Sequence, residues 1–301
     1  MRIGCVVNPL SGGGAGRRLL RLLEDEGLPC CDPTHMDISA WWQSHASNLQ
    51  VVLGAGGDGT ISWLSHLAAR HGFPQAVVPW PLGTGNDCAR HLRWRPGPVS
   101  CQGVQQFVQQ IAQAEAVWVD RWQLRGPHGL QRSISHYCSI GRDARIAHAF
   151  HRLRLRRPGL FRAAWSNKGL YAACALMDSS RPLAKRVSIA HWDIAPAIDG
   201  VVWSNIPSYA GGNCLDRRIR ADDGRLDLHA YAGICGLSLA LSTWRTPRLI
   251  AKAKGYTFHC HSPLLAQCDG EPLVLAPGTY AIVHDGCLRM LRAGACPCRE
   301  A

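Results

Sequence analysis

Negative charge is scarce in this chain. Asp and Glu number 21 against 33 Lys and Arg, leaving a formal charge of +12 and a pI near 9.3. Most of the excess is arginine, and such a balance concentrates anionic partners: nucleotides, nucleic acid or an anionic membrane face. Long apolar runs are also missing. Ile3 to Val7 is too short for a secretory core and leads straight into a Ser/Gly loop. Leu228 to Trp244 is free of Asp, Glu, Lys and Arg but is interrupted by His229. It falls below the roughly 18 consecutive apolar residues of a membrane span, and Gly233 and Gly236 within it suggest strand, turn and helix. The expectation is a cytoplasmic protein, at most peripherally bound to a membrane. Paired CxxC motifs are lacking too, although there are 14 cysteines. Without a signal peptide, scattered cysteines read as reduced thiols rather than disulfides or a zinc site. His259-Cys260-His261, with Cys268 nearby, is the one arrangement that admits a metal.

What is present is a change of pattern near Val117. Before it, buried strands (Ile3–Val7, 49–53, 76–78) alternate with helical segments (16–26, 60–70) whose leucines fall at helical spacing. Strand, glycine turn and helix, repeated, predict a parallel sheet with flanking helices. After it come short strands at 117–124, 133–140, 186–191, 200–205, 226–231, 256–260 and 279–283, divided by Gly, Pro and Asp turns. One helical, arginine-rich insertion, about 143–177, interrupts them. The expected organisation is an α/β domain over 1–120 and a mostly β domain over 121–301, with the cleft between them as the default ligand site.

Three glycine-rich loops follow strands of the first part: Asn8-Pro9-Leu10-Ser11-Gly12-Gly13-Gly14, Gly56-Gly57-Asp58-Gly59-Thr60 and Leu82-Gly83-Thr84-Gly85-Asn86-Asp87. Glycine lets backbone N–H groups approach phosphate oxygens, and a helix starting after the loop adds its positive end. A Walker sequence is absent. Gly54 to Gly59 satisfies GxGxxG, but about 20 residues on stands Trp80, with no acid for a ribose. Asp58 and Asp87 sit inside these turns, where a carboxylate repels phosphate unless a cation bridges it or the carboxylate caps the following helix.

The loops, in this order and spacing, resemble the diacylglycerol kinase catalytic domain. The resemblance continues through Val119-Asp120-Arg121-Trp122, Tyr137 to Ala144, Phe150-His151, Asn167-Lys168, Ile206 to Gly212, Ala221 to Gly224 and Asp269-Gly270-Glu271-Pro272, covering about residues 3 to 292. The larger multidomain members carry zinc-binding modules for which this chain has no room, so a stand-alone catalytic unit, closer to soluble bacterial lipid kinases, is expected.

This resemblance implies an ATP-dependent lipid kinase that uses Mg²⁺. Glu271 would be the base that takes the proton from the acceptor hydroxyl, and Asp58, Asp87 and Asp120 an acidic network around the metal. Arg90, Arg17 and Lys168 would balance those acids. Nucleotide contacts are expected from Asn8, Ser11, Gly12, Thr34, Gly56, Gly57, Asp58, Gly59, Thr60 and Thr84. Asp58 would face the nucleotide's metal. A second, structural cation would take the carboxylate of Asp223 and the carbonyls of Arg220 and Arg225. The expected acceptor is diacylglycerol, with another lipid alcohol as the alternative and NAD kinase or a non-catalytic binding module behind. Arg142, Arg145, Arg152, Arg154, Arg156, Arg157 and Arg162, interleaved with Phe150, Leu153, Leu160, Phe161 and Trp165, read equally as a membrane-facing surface or as a solvated helix with an apolar core side. Nucleic acid is not an expected partner, and a homodimer is left open.

Overall fold

The computed structural model describes residues 1–83, 85–95, 97–161, 164–178, 181–232 and 248–294, and the chain forms two compact units. Unit 1 comprises Met1–Val119 and the chain from Leu288 onward; unit 2 is Asp120–Cys287.

Unit 1 opens with β1 (Ile3–Val7), α1 (Ala15–Asp25), β2 (Cys30–Cys31), α2 (Ile38–His45), β3 (Val51–Gly56), α3 (Asp58–Arg70) and β4 (Ala76–Pro81). The short α4 (Asp87–His91) and α5 (Cys101–Ala112) follow. The strands pair in parallel in the order β2-β1-β3-β4. β1, β3 and β4 are buried along their whole length, as strands covered on both faces must be. α1 buries Leu19 and Leu23 and exposes its arginines, while Asp37 caps α2 through the amides of Ser39 and Ala40.

Unit 2 carries most of β5 (Glu115–Arg125), then β6 (Gln131–Ile134), β7 (Tyr137–Gly141), the helices α6 (Arg142–Arg156) and α7 (Ala164–Met177), and β8 (Val187–Ile189). After these come β9 (Gly200–Ser204), β10 (Ser208–Tyr209), β11 (Asn213–Cys214), β12 (Leu226–Tyr231), β13 (Arg248–Ala253), β14 (Gly255–Cys260), β15 (Leu264–Cys268), β16 (Glu271–Leu275) and the first part of β17 (Gly278–Arg292). A six-stranded antiparallel sheet runs β13-β12-β9-β7-β15-β16. The side chains of Trp122, Trp203, Phe258, Tyr280, Ile140 and Leu226 form one buried core.

Three departures from the sequence reading have physical causes. The single strand expected over 133–140 is two, broken at Ser135-His136, whose amides bond a carboxylate rather than a neighbouring strand. Residues 288–294 pack with unit 1 instead of continuing the second domain. Met290 pairs with Val77 of β4, and the Trp94 indole donates to the carbonyl of Leu291 at 2.7 Å. The third concerns Cys268, read beside His259 and His261. It lies against Cys138 across the β7–β15 pair, sulfur to sulfur at 3.6 Å, and all the described cysteines are free thiols. His259 bonds Thr279 instead, and His259, Cys260 and His261 form no metal-ligand cluster among the described residues. No helix among the described residues is long and apolar enough to cross a membrane.

Candidate active site

Four loops leave the C-terminal ends of β2, β1, β3 and β4, so they line one edge of the parallel sheet of unit 1. That edge is where open α/β sheets bind ligands. Asn8 shapes the first loop: its Oδ1 accepts the amide of Leu10 at 3.0 Å and its carbonyl that of Ser11 at 3.1 Å. Gly12, Gly13 and Gly14 all have positive φ, which glycine adopts without Cβ strain. A Cβ on Gly14 would meet nothing within 4 Å.

Elsewhere the glycines serve mutual contact as much as ligand approach. A Cβ on Gly83 would stand 2.7 Å from Gly57 Cα, one on Gly85 2.8 Å from Asp58 Oδ2, and one on Gly12 3.1 Å from the Leu82 carbonyl. A Cβ on Gly56 would run into Thr60. The three turns therefore pack on one another. Asn86, at φ 54, closes the third: its Oδ1 accepts the Gly83 amide at 3.0 Å.

Asp58 ties the second turn to the third. Its Oδ2 accepts the amide of Asp87 at 2.9 Å and its Oδ1 that of Cys88 at 3.0 Å. The carboxylate thus caps α4, a helix 29 residues further on, rather than α3, which it begins. α3 itself starts at Gly57 and Gly59 flanking Asp58, with no side-chain cap on its first amides. An uncapped helix start of this kind favours an anion. Asp87 is buried, with Arg90 Nη1 3.5 Å from its Oδ1. Arg90 is 39% exposed and pairs with Asp87 at this edge. Thr34, beyond β2, bonds Asp32 through both its amide and its hydroxyl (2.8 and 2.7 Å). Arg17 stands exposed on α1 beside Gly14, along a groove of about 450 Å³. Thr84 and the side chain of Lys168 lie outside the described residues.

Unit 2 holds Asp120 and Glu271. Asp120 is buried: Oδ1 accepts from His284 Nε2 at 2.9 Å and from the Cys287 thiol at 3.3 Å, and Oδ2 from the Gly224 amide at 2.7 Å. Burial, then the bond to Asp120, pushes the Cys287 thiol up to about 11. Asn205, which sequence reasoning did not single out, donates to the carbonyls of Asp120 (2.8 Å) and Ser135 (3.0 Å) and accepts from the Trp122 indole.

Glu271 is exposed at the start of β16. Cys268 faces Glu271 in register, so Asp269 and Gly270, at φ 51 and 87, make a two-residue hairpin turn. Asp269 is the missed residue that matters most. The residue is 5% exposed, and its carboxylate accepts the amides of Ser135 (2.8 Å), His136 (2.8 Å) and Tyr137 (3.0 Å). Gln267 takes the Gly270 amide at 2.7 Å and reaches Ser139, whose hydroxyl donates to Asp143 at 2.6 Å. Tyr171 also donates to Asp143, at 2.9 Å, and burial raises that phenol's pKa well above its usual range. The Glu271 turn is thus bolted to a buried polar network.

At the turn expected to hold a second cation, Asp223 has a lysine against it. Asp223 Oδ2 lies 2.7 Å from Lys252 Nζ, and its Oδ1 accepts the Arg225 amide at 3.0 Å. Burial opposes the charge on Lys252, but Asp223 and Asp227 hold its pKa above the ordinary value. Burial raises that of Asp227, with Lys252 opposing.

The basic insertion divides in two. Arg142 and Arg145 are buried, not surface groups: Arg142 Nη1 meets Asp199 at 2.9 Å, and Arg145 grips Asp178 in a fork at 2.9 and 2.8 Å. Arg152, Arg154, Arg156 and Arg157 are exposed, and so are Leu155 (71%) and Leu160 (49%). Phe150 stacks edge-on against Tyr171. Arg162 and the side chains of Phe161 and Trp165 lie outside the described residues.

Residues 2–119 match the diacylglycerol kinase catalytic domain, and residues 133–272 match the diacylglycerol kinase accessory domain. The chain belongs to the diacylglycerol kinase family. Among curated members of the family, mouse diacylglycerol kinase theta is 33% identical over 92% of this chain, and Arabidopsis thaliana diacylglycerol kinase 2 is 30% identical over 80%. The chain spans about a third of the length of the theta kinase, 33%, and 38% of the plant one. The solved structure of a diacylglycerol kinase from Bacillus anthracis str. Sterne superposes with a TM-score of 0.61 at 16% identity, covering 98% of this chain and 97% of that one. Another from the same organism reaches 0.67 at 19% identity, covering 98% of each chain. At that identity the likeness establishes the fold.

Proposed function

We propose that the protein transfers the γ-phosphate of ATP to the free hydroxyl of 1,2-diacylglycerol, giving phosphatidate and ADP. The observation that carries the reading is the Asp-Gly-Glu turn. A buried aspartate anchors this two-residue hairpin turn while the neighbouring carboxylate, Glu271, is left exposed for chemistry.

In this reading the loops of unit 1 hold the donor. The Gly12–Gly14 turn and the start of α3 offer backbone N–H groups to phosphate oxygens. Asn8, Ser11, Gly56, Gly57, Gly59, Thr60 and Thr34 belong to the same sheet edge, and Thr84 is assigned with them from the family motif. A carboxylate has about four acceptor positions, and the α4 amides use one on each oxygen of Asp58, leaving room for a cation. Mg²⁺ entering with ATP would supply charge neutralisation on the phosphates. Asp87, with Arg90 beside it, adds a second carboxylate on this edge, and Asp120 is assigned to the acidic network from the family resemblance alone.

Glu271 accepts the hydroxyl proton as the acceptor oxygen forms its bond to the γ-phosphorus and the bridging bond to ADP breaks. Because the hydroxyl is part of a lipid, the enzyme works at a membrane surface. The exposed arginines at 152, 154, 156 and 157, with Leu155 and Leu160, support peripheral binding to anionic lipid.

The acceptor is tested by offering purified protein, Mg²⁺ and γ-labelled ATP a panel of diacylglycerol, monoacylglycerol, ceramide and a sphingoid base in anionic mixed micelles. Labelled phosphatidate as the dominant product is expected. A different dominant product overturns the acceptor, and no labelled lipid at all overturns the kinase reading.

A further inference from the structure

The residues at the 220–225 turn do not fit the divalent cation that the family resemblance places there. Such a cation needs the carboxylate of Asp223. That carboxylate already faces a positive charge: its Oδ2 lies 2.7 Å from the Lys252 ammonium, while its Oδ1 accepts the Arg225 amide at 3.0 Å. A site for Mg²⁺ asks for oxygen ligands around a small ion that gives up its water reluctantly. Here a compact ammonium with three donors already stands against the one anionic ligand.

The placement of Lys252 is set by the fold rather than by a chance surface rotamer. β13 pairs Lys252 directly opposite Asp227 of β12, and its Nζ lies 3.4 Å from Asp227 Oδ2. The ammonium therefore bridges a buried strand carboxylate and the turn carboxylate, and its side chain is only 27% exposed. The local charge leaves no deficit for an ion to fill. Asp216, Asp222, Asp223 and Asp227 are answered by Arg217, Arg218, Arg220 and Arg225 in the same stretch, with Lys252 in addition. Arg220, expected to lend a carbonyl, carries a guanidinium that bonds Asp222 at 3.2 Å.

The turn matters because Asp120 hangs from it. Gly224 donates its amide to Asp120 Oδ2 at 2.7 Å, and the amide of Asp120 donates to the Ala221 carbonyl at 2.6 Å. We propose that the ammonium of Lys252 is a tethered cation replacing the structural divalent ion at this turn, so that the turn and the Asp120 it positions are held without metal.

The test is thermal unfolding of the full chain without nucleotide, with and without millimolar Mg²⁺ or Ca²⁺. Wild type should melt at the same temperature in both conditions. Lys252→Met, which keeps the stem and removes the charge, should melt lower in chelator and regain stability saturably with added cation. Adding Asp223→Asn to that variant should abolish the regain, and Lys252→Arg should retain cation independence. A saturable Mg²⁺ stabilisation of wild type that Asp223→Asn removes would overturn the proposal. So would a folded Lys252→Met that melts like wild type with and without cation. Should Lys252→Met fail to fold, wild type against Asp223→Asn still decides: cation-independent melting of both supports the tethered cation, and Asp223-dependent stabilisation refutes it.

Discussion

The carboxylate of Asp58 and the backbone amide of Asp87 are 2.9 Å apart, with Asp58 accepting, and its second oxygen holds the next amide at 3.0 Å. One aspartate of this sheet edge thus fixes the turn that carries the other. Asp58→Asn keeps the shape but exchanges one acceptor for an NH₂ group that faces an amide donor. Leaving a partly buried donor unmatched costs about 1–3 kcal/mol. Chemical denaturation should therefore show Asp58→Asn destabilised by that order, alongside lost activity. Unchanged stability with lost activity would reduce Asp58 to a ligand of the nucleotide's metal alone.

Asp269 and Glu271, two residues apart, should separate stability from chemistry. Asp269→Ala strands three amides and should cost at least about 3 kcal/mol. Glu271 is exposed, so Glu271→Gln should leave the unfolding midpoint where it was. Equal destabilisation of the two variants would contradict this division.

Much of unit 1 was legible because each strand, glycine turn and helix is local. Residues adjacent in sequence made those elements, down to α1 and α3. The roles of single charges were less legible, since their partners lie far along the chain. Asp58 reads as a cap for its own helix or a cation ligand until β3 and β4 are known to be neighbours. Arg142 and Arg145 look like the rest of a basic surface because Asp178 and Asp199 are 33 and 57 residues away. Lys252 carried no motif at all, and only the β12–β13 register gives it Asp227 and Asp223. The Asp-Gly-Glu turn was read for Glu271, while the buried Asp269 was given no role because its three donors are more than 130 residues upstream.

The basic insertion should respond in two ways. Arg142→Met breaks a buried pair and should destabilise by about 3–5 kcal/mol. Charge reversal at Arg154, Arg156 and Arg157 should barely move stability but weaken sedimentation with anionic vesicles. Vesicle binding that survives the triple reversal would remove this face from the membrane account.

His229 predicts a pH dependence. It is fully buried, and burial lowers its pKa below 6.5, with Asp216 opposing. Between the folded pKa and 6.5 the unfolded chain binds more protons, so stability rises with pH in that window and falls on acidification. Asp216, held down to about 2 by its bonds to Arg218, acts in the same direction but only below 3.8. Replacing His229 with Gln should flatten the stability profile just below pH 6.5. A slope that persists unchanged would assign it to another group.

The central claim is that Glu271 takes the proton in a phosphoryl transfer to diacylglycerol. Its most direct test is the initial rate of phosphatidate formation from diacylglycerol and Mg-ATP by wild type and Glu271→Gln, on preparations of equal melting temperature. The account predicts robust turnover by wild type and a loss in kcat of at least about 100-fold for the variant. A Glu271→Gln enzyme that keeps the wild-type rate would contradict it.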